Sequence, residues 1–399
     1  MSKRILVLGG GFAGLWSAIG AARTVDALGV GSDRVEIVLI DKTAWHSIRV
    51  RNYEADLEDT RVAFDSVLGP IGVRRIEGEV TGIDVTSKTV VYAVNGAQRA
   101  ITYDRLVFAL GSRLTRPPIP GLDSHAFDVD TYVAASRLNA HIAGLRPDQS
   151  TVLVVGGGLT GIEAAAEMPG KLRAAGVASP RVILADHAAR VGAGVGEGAL
   201  PVIEEALEAL GVERRGGVSV ASIDADGAVL ATGERIAAAT VVWCAGMQAH
   251  PLTAQFPVER DRLGRLPVEP SLKIKGLAAE FAAGDAAWFL IDGVHSSVMS
   301  CQHGRPMGRF AGHNVVCDLL GQPLLPLKIA GYVTILDLGP WGAVYTEGWD
   351  RKLVSRGAAA KRTKELINRE RIYPPRSGER RVILEAAAPT VQAPPARLG

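Results

Sequence analysis

The chain has 399 residues, 47% of them hydrophobic, and a formal net charge of only +2. That length suffices for two or three domains with full cores, and that charge balance argues against a nucleic-acid partner. No run approaches the roughly 18–20 apolar residues of a membrane helix, and the chain opens straight into a strand-like run without a signal-peptide pattern.

The first predicted strand, Ile5 to Leu8, runs into Gly9-Gly10-Gly11-Phe12-Ala13-Gly14 and a helix from about Ala13 to Ala27. In a dinucleotide site the first glycine of such a fingerprint permits a tight turn. The second lets backbone approach a pyrophosphate, and the third lets the helix pack on its strand. The N–H groups that open the helix then face phosphate charge. The next strand, Val35 to Ile40, ends at Asp41, the expected place of an acid that hydrogen-bonds a ribose hydroxyl; Lys42 follows it. Alternation in Ile48-Arg49-Val50-Arg51 predicts a strand with both arginines on one face, either solvated or available to an anionic partner. Short alternating runs at 73–94, which include Val80, predict strands with turns at Gly82 and Asn95-Gly96. Arg105 to Gly111, through Ala109, is an apolar strand ending in glycine, and the proline-rich stretch 115–121 is a connection.

From Ser150 the pattern repeats. Val152 to Val155 leads to Gly156-Gly157-Gly158-Leu159-Thr160-Gly161 and a helix to about Leu172, which Pro169 is expected to end or kink. The strand Arg181 to Ala185 then reaches Asp186. An acid here favours NADH, because it would repel a 2′-phosphate; Arg190 is the nearest cation for NADPH. Short strands fill 218–233, and Thr240 to Gly246 is a second strand-to-glycine. Phe281-Ala282-Ala283-Gly284-Asp285 can set a carboxylate against a cofactor's polyol chain. Two nucleotide cradles on one chain suggest electron transfer between two bound nucleotide cofactors.

The tail changes character. Between Arg351 and Arg381 eleven Lys or Arg residues face only Glu365, Glu370 and Glu379. Ala358 to Arg371 is predicted as a basic helix whose thin apolar face is mainly Leu366 and Ile367, either solvated or touching anionic lipid. The Ala- and Pro-rich end from 385 is predicted to be disordered. Cys244, Cys301 and Cys317 form no CxxC and no metal-ligand spacing, so no metal site is expected, and reduced thiols suit a cytoplasmic protein.

Taken in order, the two fingerprints, Asp41, Ala109-Leu110-Gly111, Val242-Trp243-Cys244-Ala245-Gly246 and Gly284-Asp285 resemble the two-dinucleotide-domain flavoprotein reductases of the pyridine nucleotide-disulfide reductase-like fold. Gly156 to Glu163 and the segment around Gln302 are most similar to type II NADH dehydrogenases. The resemblance implies an α/β protein with two Rossmann-like domains, the FAD-binding domain interrupted by the NAD(P)H-binding domain. The expected boundaries are 1–115 and 269–325 for FAD, 116–268 for NAD(P)H, 326–375 for a C-terminal segment, and a disordered tail over 376–399. It implies FAD held by Gly9, Gly11, Phe12, Ala13, Gly14, Asp41, Lys42, Val80, Ala109, Gly111, Gly284 and Asp285. NADH, ahead of NADPH, falls to Gly156, Gly158, Gly161, Asp186 and Gly246. Glu163 and Gln302 are the expected catalytic residues, with Glu163 near flavin and nicotinamide and Gln302 at the flavin edge or acceptor. His303 and His313 are weaker proton-donor candidates. The expected acceptor is a quinone or a similar small oxidant, yet Pro306 stands where the resembled family has a second glutamine. A reductase serving a ferredoxin- or rubredoxin-type carrier, and a non-enzymatic NADH-responsive flavoprotein, are the alternatives. A sulfide:quinone reductase would need a cysteine pair beside the flavin. Peripheral contact with the inner face of the cell membrane and a homodimer are left open.

Overall fold

The computed structural model describes residues 2–31 and 33–395. Apolar runs such as Ile5–Leu8 and Val38–Ile40 are buried on both faces, as strands of a parallel sheet must be. Five strands align in parallel in the order Glu280–Ala282, Arg105–Phe108, Lys3–Leu8, Val35–Asp41, Arg74–Glu77. A second parallel sheet takes Ala126–Phe127, Thr240–Trp243, Thr151–Val155, Arg181–Ala185 and Val212–Arg215. In each sheet the fingerprint strand is central. The acid-bearing strand lies on one side of it and the strand-to-glycine on the other. Strand order therefore reverses beside both fingerprints, where an open α/β sheet leaves a crevice at its strand ends. Two antiparallel strands, Ser112–Leu114 and Met247–Ala249, pair where the chain passes between the sheets. The α/β class with Rossmann-like parallel cores is the one observed.

Several local expectations change. Gly82 lies inside the strand Glu79–Asp84, at a register shift opposite Val91, and the turn falls after Asp84. Pro169 does not end its helix, which runs from Leu159 to Ala174. Proline removes a single N–H donor, and fully buried Met168 and Leu172 hold both sides of it against the second sheet. Arg49–Arg51 form a 3-10 turn after the short strand Trp45–Ser47, so the two arginines diverge. The basic helix spans Gly357–Leu366, continued by a π-helical turn Ile367–Arg371. Its buried face is Ala360, Thr363, Lys364 and Asn368; of the expected apolar pair only Ile367 packs, half-buried, against the first core, and Leu366 is half-buried. The tail expected to be disordered holds a helix, Arg380–Ala386. Its Ile383 and Leu384 supply enough apolar surface to join the core around the first fingerprint helix. Residues 396–399 of that expectation lie outside the described residues.

The long helix Cys301–Leu319 lies along the first fingerprint helix, Phe12–Ala27. Contact is backbone to backbone. A Cβ on Gly308 would stand 2.3 Å from the carbonyl oxygen of Ala13, and one on Gly312 2.2 Å from that of Ser17. This close approach brings the start of the long helix to the first fingerprint. Replacing Gly308 by Leu should destabilise the fold by about 3 kcal/mol or more by overpacking. The urea midpoint of the purified variant measures it.

Candidate functional site

Both fingerprints fold into the same local shape for the same reason. Gly9 and Gly156 take positive φ, 92° and 112°, to turn the chain out of its strand. A Cβ on Gly14 or Gly161 would meet the carbonyl oxygen of Gly9 or Gly156 at 1.8 Å, so only glycine lets each helix start this close to its strand. Gly11 and Gly158 are the N-caps and offer no side chain to the first-turn N–H groups. A Cβ at either would meet nothing within 4 Å. Each cradle thus presents bare amide donors and a helix dipole to open space, the fit that a pyrophosphate requires.

The strand-end acids are held alike. Asp41 accepts from the amide of Gly10 at 2.7 Å and from that of Thr43 at 2.8 Å. Asp186 accepts from the amide of Gly157 and, at 2.7 Å, from that of Ala188. Arg190 is occupied by Glu204, with both carboxylate oxygens at 3.0 Å from Nη2, and does not turn to Asp186. Lys42 and Glu79, the neighbour of buried Val80, both act electrostatically on His250, so the strand Glu79–Asp84 comes to the Asp41 end of the first sheet.

The Gly-Asp motif closes on the first cradle. Gly284 has φ 76°, and its Cβ would lie 2.7 Å from that of Ala13. Ala109 packs on Gly9, and Gly111 opens on free space at φ 69°. Beside it Ser112 donates to Asp285 at 2.6 Å. Burial pushes the Asp285 carboxyl above the usual range, against that bond and the nearby charge of Arg49. Arg49 donates to Ser112 Oγ at 3.1 Å and pairs with Asp130, bridging the connecting strands. Arg51 instead forks onto Glu54 at 2.7 and 2.8 Å and reaches the Tyr373 hydroxyl at 2.6 Å. In the second cradle Gly246, at φ 84°, packs on Thr115.

Glu163 is buried on the second fingerprint helix. Its Oε1 accepts from Lys364 at 2.7 Å and from the Asp337 amide at 3.1 Å. Burial drives the Glu163 carboxyl upward and Lys364 opposes it. Burial also works against the Lys364 ammonium, yet Glu163 holds it above its ordinary value. Asp337 in turn accepts from Lys361 at 2.6 Å and from the Tyr53 hydroxyl at 3.1 Å. Gln302, in the first turn of the long helix, accepts from the Val333 amide at 3.4 Å. Its neighbour Cys301 lies within electrostatic reach of both Lys364 and Asp285. The start of the long helix therefore stands between the Gly-Asp carboxylate and the Glu163–Lys364 pair. Sequence reasoning missed Ser112, Asp130, Asp337 and Lys364. Only Ser112 carried a signal, as the residue after a strand-ending glycine.

The cysteines form no disulfide. Cys301 and Cys317 are sixteen residues apart on one helix, about 24 Å. Burial pushes the Cys244 thiol up to about 12, which removes it as a nucleophile at neutral pH. His313 turns to Thr24 at 3.1 Å, away from the cradles. His46 is fully buried under the first cradle; its Nδ1–H donates to the Gly10 carbonyl at 2.9 Å. His303 accepts the Val298 amide on Nδ1 at 2.9 Å. Burial lowers both imidazoles to about 4.

Residues 3–308 match the family described as pyridine nucleotide-disulphide oxidoreductase. An NADH dehydrogenase-like protein of Mycobacterium tuberculosis is 54% identical over 98% of this chain and 100% of its own length. A type II NADH:quinone oxidoreductase of Staphylococcus saprophyticus is 26% identical over 84% of this chain and 88% of its own. Among solved structures, NDH2 of Plasmodium falciparum superposes with a TM-score of 0.76 over 97% of each chain at 12% identity, a likeness of fold.

The two buried histidines set an acid limit. Their folded values near 4 lie below the ordinary 6.5, so the unfolded chain binds protons that the folded chain refuses. Stability is full above pH 6.5 and is lost as pH falls towards 4, by about 3 kcal/mol per histidine. Urea unfolding between pH 7 and pH 4 should show that slope, and a His46→Gln variant should flatten it.

Proposed function

The chain belongs to the pyridine nucleotide-disulphide oxidoreductase family, and we propose that it is an FAD-dependent NADH dehydrogenase delivering electrons to a quinone or similar small acceptor. The observation that carries this reading is the pair of matching cradles, each at the reversal point of its own parallel sheet. Electron transfer needs two nucleotides, and the pairing of Ser112–Leu114 with Met247–Ala249 fastens the two sheets where their strand-to-glycine ends leave them. The relatives' names supply the acceptor class: two are NADH dehydrogenase-like or type II, and one of these names a quinone.

In this reading Gly9, Gly11, Phe12, Ala13 and Gly14 seat the FAD pyrophosphate. Asp41 takes the ribose, with Lys42 and Val80 beside the adenosine. Ala109, Gly111, Gly284 and Asp285 line the polyol chain. Gly156, Gly158, Gly161 and Gly246 seat NADH. Held there, FAD would supply the two-electron redox chemistry that links NADH to the second acceptor. The protein's own part is to bind, orient and handle protons. Asp186 selects NADH, since its carboxylate already accepts two backbone bonds and Arg190 is spent on Glu204. In the same reading Glu163, buried and hydrogen-bonded to Lys364, tunes charge or relays a proton near the flavin and nicotinamide, and Gln302 hydrogen-bonds the flavin edge or the acceptor. The quinone reading also sets the place of work. No helix among the described residues is long and apolar enough to cross a membrane, so contact with the inner face of the cell membrane would be peripheral.

The test is stopped-flow reduction of the yellow protein by NADH, followed by steady-state turnover with quinones and with a small iron–sulfur carrier. Rapid bleaching of the flavin and faster turnover with quinones are expected; a better carrier rate would move the acceptor class. An Asp186→Ala variant should lose at least about tenfold of its preference for NADH over NADPH, through loss of a charge-assisted bond. Gly11→Leu should yield protein without flavin, read as the 450 nm absorbance per chain.

A further inference from the structure

Two guanidinium groups lie inside the protein with no acid to answer them. Arg305 and Arg309 stand about one turn apart on the long helix, 8% and 3% exposed. Their guanidinium carbons sit 5.3 and 4.3 Å from the ring centroid of Trp16 on the first fingerprint helix. The charges acting on them are one another, Arg371 and the Cys301 thiol; no carboxylate among the described residues is one of them. Nε of each arginine is buried without a partner, and so are Trp16 Nε1 and His46 Nε2. The contact of Arg309 is a long one, 3.5 Å to the Thr390 carbonyl. Arg371 reaches the Ala393 carbonyl at 2.6 Å.

A buried cation without an anion is among the costliest arrangements a fold can hold, and indole stacking returns only part of that cost. Repulsion between Arg305 and Arg309, and from Arg371 on Arg305, makes it worse. Such a cluster is complete only with an anion. A guanidinium fork matches a carboxylate or a phosphate.

We infer that Arg305 and Arg309 form the seat for an anionic group, a carboxylate, carried by the second electron acceptor. The inference rests on the oxidoreductase reading above and names the acceptor's chemistry. Position supports it. Gly304, next to Arg305, would bring a Cβ to 3.8 Å from Gly284 Cα and 3.9 Å from the Ala13 amide, so the pair begins one residue from the FAD cradle. Arg305 also acts electrostatically on His46, which holds Gly10 of that cradle. Pro306 lies between the two arginines and has no donor, so polar recognition on this stretch falls to the guanidinium groups. The Thr390 and Ala393 carbonyls cover the cluster with weak acceptors that a full anion would displace. The redox step leaves the carboxylate untouched: NADH and one proton become NAD+, while the quinone's two carbonyls take two electrons and two protons and become hydroxyls.

The other anion at hand is the pyrophosphate of FAD itself, and the experiment separates the two. Wild-type holoenzyme, Arg309→Gln and Arg305→Gln are compared for FAD per chain, for the rate of flavin reduction by NADH, and for kcat/KM with 1,4-naphthoquinone-2-carboxylate and with 2-methyl-1,4-naphthoquinone. Binding of the non-reducible 2-naphthoate is followed by calorimetry. The wild type should favour the carboxylated quinone at least tenfold and bind 2-naphthoate competitively with it. Each variant should retain FAD, lose 2-naphthoate binding, and lose at least tenfold more with the acidic quinone than with the neutral one. Variants that shed FAD would assign the arginines to the cofactor and overturn the inference, as would a wild type with neither preference nor 2-naphthoate binding. If a variant fails to fold, the wild-type preference and competition decide. A flavin that NADH does not reduce would defeat the dehydrogenase reading instead, and 2-naphthoate binding would still judge the seat.

Discussion

A methyl group on Gly14 would lie 1.8 Å from the carbonyl oxygen of Gly9, and one on Gly161 equally close to that of Gly156. Everything about the two cradles follows from that contact. The helix can start hard against its strand only where no side chain intervenes, and its unfilled N–H groups then point past the strand's end. The left-handed turn at Gly9 and Gly156 and the empty space over Gly11 and Gly158 complete the same geometry. The long helix repeats the principle: Gly308 and Gly312 let it lie backbone to backbone on the first fingerprint helix.

Charge buried at the joints is the second theme. Lys364 comes from the C-terminal helix and Glu163 from the second fingerprint helix, and both are nearly withdrawn from water. Taking one partner away would strand the other, so the pair fixes the helix Gly357–Leu366 against the second fingerprint helix. Asp337, Lys361 and Tyr53 extend the network towards the first sheet. Arg49 does similar work between Asp130, Ser112 and Asp285. The Arg305–Arg309 pair has no such partner, and that contrast makes it informative.

Much of this was legible in the residue order. The fingerprints, the acids 27 and 25 residues past their last glycines, and the two strand-to-glycine runs fixed both parallel sheets, because each is a local pattern that one βαβ unit must satisfy. Local rules failed where packing outweighed them. Pro169 was tolerated inside a helix held by Met168 and Leu172, and the arginines at 49 and 51 left the strand for opposite partners. The tail's composition hid Ile383 and Leu384, two residues with a core to enter.

The sequence alone therefore determined the two glycine cradles, the acids that hydrogen-bond them and the oxidoreductase class, since glycine spacing and strand-end charge act within some thirty residues. Only the folded chain decided that Glu163 meets Lys364, that Ser112 ties Asp285, and that Arg305 and Arg309 close on Trp16. Those partners stand from 173 to 293 residues apart, brought together by helix packing, and no local pattern encodes a contact made at that distance.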